Sequence, residues 1–102
     1  MKVYITGPMT GLPDYNLPAF AAAEQALNAA GYDAVNPGAR GVIEGYTWVD
    51  YMKDAIRELL DCDGVAVLEG WSDSNGAKLE LEIANALGMT VDWLEVWLDN
   101  VS

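Results

Sequence analysis

The residues best suited to chemistry lie where a run of small polar side chains leads into a helix. This run, Asp73-Ser74-Asn75-Gly76, is followed closely by Glu80. A helix N-terminus favours negative charge and presents free N–H groups, so Ser74 and the backbone near Gly76 could bind a phosphate or a sugar hydroxyl. Glu80 would bring a carboxylate to the same cleft. The indicated chemistry is anion or hydroxyl binding beside a carboxylate.

Simpler explanations of the same residues stay open. Ser74 could serve only as the N-cap of the helix, and Glu80 could be an exposed helix residue. Glu82 has the same carboxylate two positions further on and could pair with Lys78, four residues before it. Charge and spacing alone do not choose between Glu80 and Glu82.

Asp50 and Asp54 form a second group of carboxylates. Four residues apart on a predicted helix, they share one face, where like charges repel. They could perform acid–base work or bind a hydroxyl, or they could belong to a solvated face that also carries Lys53 and Arg57. Together with Asp73 and Glu80 they match no metal-ligand spacing, so we expect neither a metal nor another cofactor.

Hydrophobic spacing and turn residues predict the elements that would position these groups. Residues 2–6 (KVYIT) read as a buried first strand that ends at Gly7-Pro8, where a glycine lets a ligand approach the backbone. By itself this segment is more typical of a plain turn after a strand. The other predicted elements are helices over residues 17–30, 48–61 and 75–87, strands over 32–35 and 64–68, a possible strand over 89–91, and a mobile glycine-rich loop over 38–46. Residues 92–100 fit either a short helix or a strand, and we favour the helix.

The alternation of strands and helices predicts a parallel sheet with right-handed crossovers. We therefore expect one α/β domain, residues 1–102, with a Rossmann-like three-layer architecture and a short parallel sheet. Ligands of such sheets bind beyond the carboxyl ends of the strands, where residues 7–16, 36–46 and 69–76 meet. The substrate contacts expected from these loops and the helix turns after them are Gly7, Pro8, Met9, Asp14, Asp50, Trp71, Asp73, Ser74 and Gly76, with Trp71 placed to stack on a base.

Composition excludes several functions. The net charge of −11, from 16 acidic and 5 basic residues, argues against duplex nucleic acid and anionic membranes as partners. The chain has no histidine, which excludes His-based triads and His–metal sites. Cys62 is the only cysteine, and it is expected to be a buried apolar residue. We expect a soluble cytoplasmic protein, with some of its four Trp and five Tyr at a pocket or a subunit contact.

Several of these segments resemble one family when they are taken in order. Tyr4-Ile5-Thr6-Gly7-Pro8, the Cys62-Asp63 step into an apolar strand, Ser74-x-Gly76-x-x-x-Glu80 and Ala84…Gly88 are similar to motifs of the nucleoside 2-deoxyribosyltransferase superfamily. That superfamily includes 2′-deoxynucleoside 5′-monophosphate N-glycosidases. The run YITGPMTGLP resembles a branch from phages and prophages. The resemblance spans most of residues 3–91 and implies a flavodoxin-like fold.

The resemblance also implies roles for individual residues. Glu80 would attack the sugar C1′ and form a glycosyl-enzyme intermediate, which water or a second base resolves. Tyr4 would steady that carboxylate, and Ser74 and Gly76 would hold a 5′-phosphate. Such enzymes form homo-oligomers that often complete the site from a neighbouring subunit. Here Trp93 and Trp97 in the C-terminal segment make self-association plausible.

Two positions depart from the family pattern. The family has an aspartate eight residues before the aspartate that precedes the central strand. Counting back from Asp63 gives Ala55, and Asp54 lies one residue earlier, so we expect Asp54 to assist the leaving base only if the helix is one residue longer here. The family's glycine two residues after the nucleophile is Glu82 in this chain.

Three functions follow from these observations. The leading one is an N-glycosidic-bond enzyme, performing deoxyribosyl transfer or hydrolysis on a nucleoside or nucleotide, with Glu80, Tyr4 and Asp54 as its catalytic residues. Asp73 or Asp50 could take the place of Asp54 in assisting the leaving base. The second is a nucleotide-binding or sensing module of the same fold without turnover. The third is a structural protein whose acidic surface and exposed tryptophans mediate assembly.

Overall fold

A computed structural model describes residues 1–99 of the chain, in which four strands alternate with four helices. The strands are β1 (Lys2–Thr6), β2 (Asp33–Val35), β3 (Gly64–Val67) and β4 (Thr90–Trp93). The helices are α1 (Leu17–Ala29), α2 (Trp48–Leu60), α3 (Asn75–Ala86) and α4 (Leu94–Asp99), and short 3₁₀ turns cover Pro13–Asn16, Pro37–Arg40 and Trp71–Asp73.

The four strands form one parallel sheet in the order β2-β1-β3-β4. The two central strands are the most apolar, because a parallel strand covered by helices on both faces has no side exposed to water. All four residues of β3 are buried, and so are four of the five in β1. The expected α/β class with a short parallel sheet is therefore confirmed.

Alternate residues of the central strands face two separate hydrophobic clusters. Val3, Ile5 and Ala66 pack against α1 and α4, whereas Tyr4, Val65 and Val67 pack against α2 and α3. The sheet is thus the middle layer of three. Tyr4 belongs to the α2–α3 side, where its ring is buried but its hydroxyl reaches the carboxyl end of the sheet.

Helix starts follow the local sequence closely. Thr47 and Asp50 form a complete capping box at α2: the Thr47 side chain accepts from the Asp50 N–H, and the Asp50 carboxylate accepts from the Thr47 N–H. Ser74 caps α3 by accepting from the Ala77 N–H at 3.1 Å. These caps set the residue at which each helix begins, and hence which side chains face the end of the sheet.

The C-terminal segment divides between the two structures that its sequence allowed. Strand β4 extends to Trp93, and the helix occupies Leu94–Asp99; position 100 lies outside the described residues. Trp97 is only 5% exposed, and its indole N–H donates to the Val65 carbonyl at 2.8 Å. The expectation that Trp97 serves self-association is therefore corrected, since its ring fills the core beneath α4, while Trp93 remains exposed. No helix within residues 1–99 is long and apolar enough to cross a membrane.

Candidate functional site

A cavity of about 340 Å³ opens at the carboxyl ends of β1, β2 and β3. Its walls come from the segments after these strands, from the N-terminal half of α2 and from the first turns of α3. Most of the lining is apolar or aromatic. The side chains and backbone that form it include Tyr4, Gly7, Met9, Tyr15, Phe20, Gly38, Arg40, Val42, Trp48, Tyr51, Met52, Ala55, Ser74, Gly76, Ala77 and Glu80.

Glu80 forms the polar floor of this cavity. Its side chain is only 6% exposed, and each of its carboxylate oxygens accepts a hydrogen bond from β1. The Tyr4 hydroxyl donates to Oε2, and the Thr6 hydroxyl donates to Oε1 at 2.9 Å. Tyr4 and Thr6 reach the same carboxylate because residues two apart on a strand share one face.

The position of Glu80 on α3 follows from the start of that helix. With Ser74 as N-cap, Glu80 lies four residues after Gly76 and three residues after Ala77, and these are the spacings that share one helix face. All three line the cavity, whereas Glu82 is exposed on the outer side. The structure therefore distinguishes the two glutamates that spacing alone left equivalent.

Burial dominates the electrostatics of the floor. The low-dielectric surroundings raise the pKa of Glu80, and the hydrogen bonds from Tyr4 and Thr6 and the nearby Arg40 charge oppose that rise without cancelling it. The pKa of Tyr4 lies well above its ordinary value, first because the phenol is buried and then because of the Glu80 carboxylate. Tyr4 therefore remains a protonated donor at neutral pH, oriented toward Glu80.

Two glycines in the cavity lining allow close packing that a Cβ would disturb. A Cβ on Gly7 would come within 2.8 Å of the Leu68 Cβ, so only glycine lets the chain leaving β1 lie against the chain leaving β3. A Cβ on Gly76 would lie 3.1 Å from the Met52 sulfur. Ser74 and Gly76 lie together at the cavity wall, where the first N–H groups of α3 are available to a ligand.

Helix α2 presents an apolar face to the cavity. Trp48, Tyr51, Met52 and Ala55 line it, with the spacing i, i+3, i+4, i+7. Ala55 thus occupies the cavity side of the helix at the position where the family pattern has an aspartate. The side chain of Asp54, one residue earlier, points away from the cavity, since consecutive residues of a helix are separated by about 100° around its axis.

The expected placement of Asp54 and Asp50 in the cavity is therefore corrected. Asp54 accepts a hydrogen bond from the Tyr46 hydroxyl at 2.7 Å and pairs with Arg57 at 3.0 Å. The Asp50 carboxylate folds back onto Thr47 within the capping box, which lowers its pKa. Both are used in local structure outside the cavity lining.

Four further residues expected to contact substrate also lie outside the lining. The Pro8 carbonyl accepts from the Asn16 side chain at 3.0 Å, and Asp14 and Asp73 are exposed. Trp71 packs on the α2–α3 cluster and borders a shallow groove beside β4, away from the cavity. Of the expected residues, the structure brings together Tyr4, Gly7, Met9, Ser74, Gly76 and Glu80.

Arg40 is a cavity residue that the sequence reasoning missed. Its guanidinium forms an ion pair with Glu58 of α2 and donates to the Pro37 carbonyl at 3.1 Å. The available signal was its position as the sole cation in the glycine-rich segment that follows β2, at the binding edge of the sheet. Tyr51 and Trp48 could have been predicted as cavity residues, because they continue the apolar face of α2 toward its N-terminus, beyond the end of the sheet.

The segment after Arg40 is anchored by α2, although its glycines predicted mobility. The Tyr51 hydroxyl accepts from the Ile43 N–H at 2.7 Å and donates to the Ile43 carbonyl at 3.3 Å. Tyr46 stacks edge-to-face on Tyr51 and donates to Asp54. These contacts hold the wall that carries Val42.

Another wall of the cavity has an unusual backbone. Asp14, Tyr15 and Asn16 have φ values of 51°, 51° and 60°, in the left-handed region that non-glycine residues seldom adopt. Tyr15 lines the cavity from this segment.

Within residues 1–99, no group of three or more His, Cys, Asp or Glu side chains converges to hold a metal ion.

Comparison with known proteins gives a family and a fold. A family model described as "Domain of unknown function (DUF4406)" matches residues 1–93. The solved structure of a 2-deoxyribosyltransferase from the psychrotolerant bacterium Bacillus psychrosaccharolyticus superposes with a TM-score of 0.70 at 20% identity, over 89% of this chain and 69% of that one. At this identity the likeness shows a common fold. No curated protein matches the chain by sequence.

Proposed function

The chain belongs to the family described as a domain of unknown function (DUF4406), and we propose that it cleaves the N-glycosidic bond of a nucleoside or nucleotide. The observation that carries this proposal is Glu80, a buried carboxylate held by two hydroxyl donors at the floor of a cavity. The solved structure with the same fold is that of a 2-deoxyribosyltransferase, an enzyme named for the transfer of a deoxyribosyl group. In a deoxynucleoside, an N-glycosidic bond joins that group to the base.

Glu80 has the surroundings of a nucleophile in glycosyl transfer. Its oxygens accept hydrogen bonds from Tyr4 and Thr6, which fix the direction of the carboxylate with little rotational freedom. Preorganised groups lower the barrier because the geometry is set before reaction. Attack on C1′ would form a glycosyl ester and release the base, and water or a second base would then take up the sugar.

The cavity also has the size and the polarity that suit a nucleoside. Its aromatic and methionine side chains offer flat apolar surfaces for a base. Ser74 and the N-terminus of α3 lie beside Glu80 in sequence and line the same cavity, where they would bind a sugar hydroxyl or a 5′-phosphate. Arg40, paired with Glu58, lines the cavity from the segment that follows β2.

The proposal is tested by incubating the protein with a panel of nucleosides, deoxynucleosides and their 5′-monophosphates and measuring free base. We expect base release by the unchanged protein and a loss of about a thousandfold or more in Glu80→Gln, since the nucleophile is removed. Addition of a second free base distinguishes transfer from hydrolysis, because only transfer yields a new nucleoside.

Glu82→Gln is the matched control for that loss. It makes the same chemical change two positions away, on an exposed side chain outside the cavity lining. Equal base release by both variants and the unchanged protein would show that Glu80 is not the nucleophile. Unchanged folding of Glu80→Gln, checked by circular dichroism, separates loss of chemistry from loss of structure.

A binding module without turnover is a second candidate, favoured by one observation. The carboxylates expected to assist the leaving base, on Asp54, Asp73 or Asp50, all lie outside the cavity lining, where Asp50 and Asp54 have local partners. For such a module we expect nucleotide binding by calorimetry without release of base over hours. The Glu80→Gln variant would then change the affinity only.

A further inference from the structure

The cavity contains a nucleophile without an evident acid for the leaving base. Among its lining residues within the described part of the chain, Glu80 is the sole carboxylate, and no cysteine or lysine lines it. Glu80 cannot serve both as the attacking carboxylate and as the proton donor in the same step. A neutral base that leaves a sugar needs a proton on its ring nitrogen, or it departs as an unstable anion.

The hydroxyl groups of the cavity do not readily supply that proton. The Tyr4 hydroxyl donates to Glu80, and the Tyr51 hydroxyl donates to the Ile43 carbonyl while it accepts from the Ile43 N–H. Ser74 already accepts from the Ala77 N–H as the cap of α3, and an aliphatic hydroxyl is a very weak acid. The protons of the Tyr4 and Tyr51 hydroxyls are thus committed to fixed partners. The other hydroxyls in the lining, on Ser74, Thr10 and Tyr15, belong to a class of groups that is far less acidic than a carboxylic acid.

The surroundings of the cavity are suited to a positively charged ring. Trp48 and Tyr51 on α2 and Tyr15 in the segment before α1 contribute aromatic side chains to the lining, and aromatic rings attract cations. The chain has a net charge of −11, which raises the local concentration of cations. The positive charge on the wall, Arg40, is balanced by its ion pair with Glu58.

We propose that the preferred substrates are N-glycosides whose base carries a permanent positive charge, such as a pyridinium or an N-alkylated purine. This inference rests on the proposed function and names its substrate class. Glu80 forms a bond to C1′ as the C1′–N bond breaks, and the bonding electron pair neutralises the ring cation. The base leaves as a neutral molecule without a proton. Water then cleaves the glycosyl ester, returning the Glu80 carboxylate and releasing one proton to solvent.

Two matched pairs of substrates test the proposal. Nicotinamide riboside has a pyridinium ring, and its reduced dihydro form is neutral. At mildly acidic pH, where its N1 stays protonated, 7-methylguanosine is cationic, and guanosine is neutral. Each is assayed as riboside and as 2′-deoxyriboside, so that a preference for one sugar does not hide the effect of charge. Spontaneous hydrolysis is subtracted by using the Glu80→Gln variant as the blank.

We expect the cationic member of each pair to be cleaved at least about a hundredfold faster, the range that general acid catalysis otherwise supplies. We also expect the rate to rise as Glu80 ionises and then to stay level toward alkaline pH, because no protein acid has to remain protonated. Neutral substrates cleaved within about tenfold of their cationic partners, or a falling alkaline limb with the pyridinium riboside, would overturn the substrate class and leave the proposed function intact. If the unchanged protein releases no base from any pair or from the nucleotide panel, the proposed function and this inference fall together.

Discussion

The two ends of strand β1 both gather carboxylates, but they surround them in opposite ways. At the N-terminal end, Lys2 pairs with Asp61 at 2.7 Å and its backbone N–H donates to Asp63 at 2.8 Å. The Asp61 side chain is 75% exposed, and the Lys2 charge lowers its pKa. At the carboxyl end, Glu80 is buried, is bound by the hydroxyls of Tyr4 and Thr6, and has a raised pKa.

This difference separates structural carboxylates from candidates for chemistry. A carboxylate beside a cation in water is held in its charged form, and its pairing contributes little to stability. A buried carboxylate without a bonded cation keeps a higher free energy and greater reactivity, which proteins retain mainly at functional sites. Substitutions at one end of β1 leave the other end unchanged as an internal reference.

After the loss of the nucleophile in Glu80→Gln, the largest effect on base release is expected for Tyr4→Phe. Removing the phenol takes away a hydrogen bond to a buried charged group, so we expect base release to fall by about tenfold to a hundredfold. The Glu80 pKa should rise further, because a bond that favours its charged form is lost, and the acidic limb of the pH profile of kcat/KM should move to higher pH.

Tyr32→Phe is the control for Tyr4→Phe. Tyr32 also donates a hydrogen bond, to the Trp97 carbonyl at 3.2 Å, but it packs on the opposite face of the sheet. We expect its pH profile to match that of the unchanged protein. If the two variants shift the acidic limb equally, Tyr4 does not act through Glu80.

A smaller effect is expected for Tyr51→Phe, which loosens a wall of the cavity. The variant loses both hydrogen bonds to Ile43, so the segment from Gly41 to Tyr46 should exchange its amide hydrogens faster. When a ligand binds, ordering this segment should cost about 1 kcal/mol more in the variant than in the unchanged protein. This cost corresponds to a KM raised about fivefold, with kcat less affected. Hydrogen exchange of residues 41–46 and steady-state kinetics measure the two results.

Tyr46→Phe provides the comparison for that wall. It removes one hydrogen bond to Asp54 but keeps both contacts of Tyr51 with Ile43. We expect a change in KM below that of Tyr51→Phe. A larger effect from Tyr46→Phe would mean that Asp54, rather than Tyr51, holds the segment.

More of the cavity floor than of its rim follows from local rules. Strand alternation puts Tyr4 and Thr6 on one face, and the Ser74 cap sets the register of α3. Spacing alone still left Glu80 and Glu82 equivalent, and the family resemblance, not a local rule, favoured Glu80. The side of α2 that faces the cavity depends on the helix rotation, and one residue of register moved Asp54 out and Ala55 in.

The contacts of the rim depend on partners far apart in the sequence or on irregular backbone. The ion pair of Arg40 with Glu58 and the bonds of Tyr51 to Ile43 join different elements, and no periodicity reports them. Likewise, the polar loop around Trp71 predicted an exposed base-stacking ring, but the ring packs on the α2–α3 cluster. Such contacts are fixed by tertiary packing, which a single sequence does not display.

The Glu80→Gln substitution should change stability and activity in opposite directions. We expect Glu80→Gln to raise the free energy of unfolding at pH 7 by about 1 kcal/mol, because an amide avoids the cost of burying a charge. Its carbonyl oxygen can accept from one of the hydroxyls of Tyr4 and Thr6, and its NH2 group can donate to the oxygen of the other. Burial raises the folded pKa, so the contribution of Glu80 is fully present below its unfolded pKa and is lost as the pH rises through the folded one.

The advantage of Glu80→Gln should therefore grow from acidic pH upward and level off once Glu80 is ionised. Urea unfolding at several pH values measures it. Glu82→Gln, on the exposed side of α3, should show no such growth. A stability loss in Glu80→Gln at neutral pH would indicate that the charge itself is favourably solvated in the cavity.

The smallest effect is expected at the other end of β1, from Asp61→Asn. The Lys2 ion pair lowers the pKa of Asp61, so its contribution to stability is present above the unfolded pKa of Asp61 and is lost as the pH falls through the folded one. Both partners are exposed, and the effect on unfolding should be slight and should vanish in high salt. Base release should be unchanged at every pH, because no contact of this pair reaches the cavity lining. A fall in base release comparable to that of Tyr4→Phe would mean that the two ends of β1 are electrostatically coupled through the sheet, and burial would then not be what sets Glu80 apart.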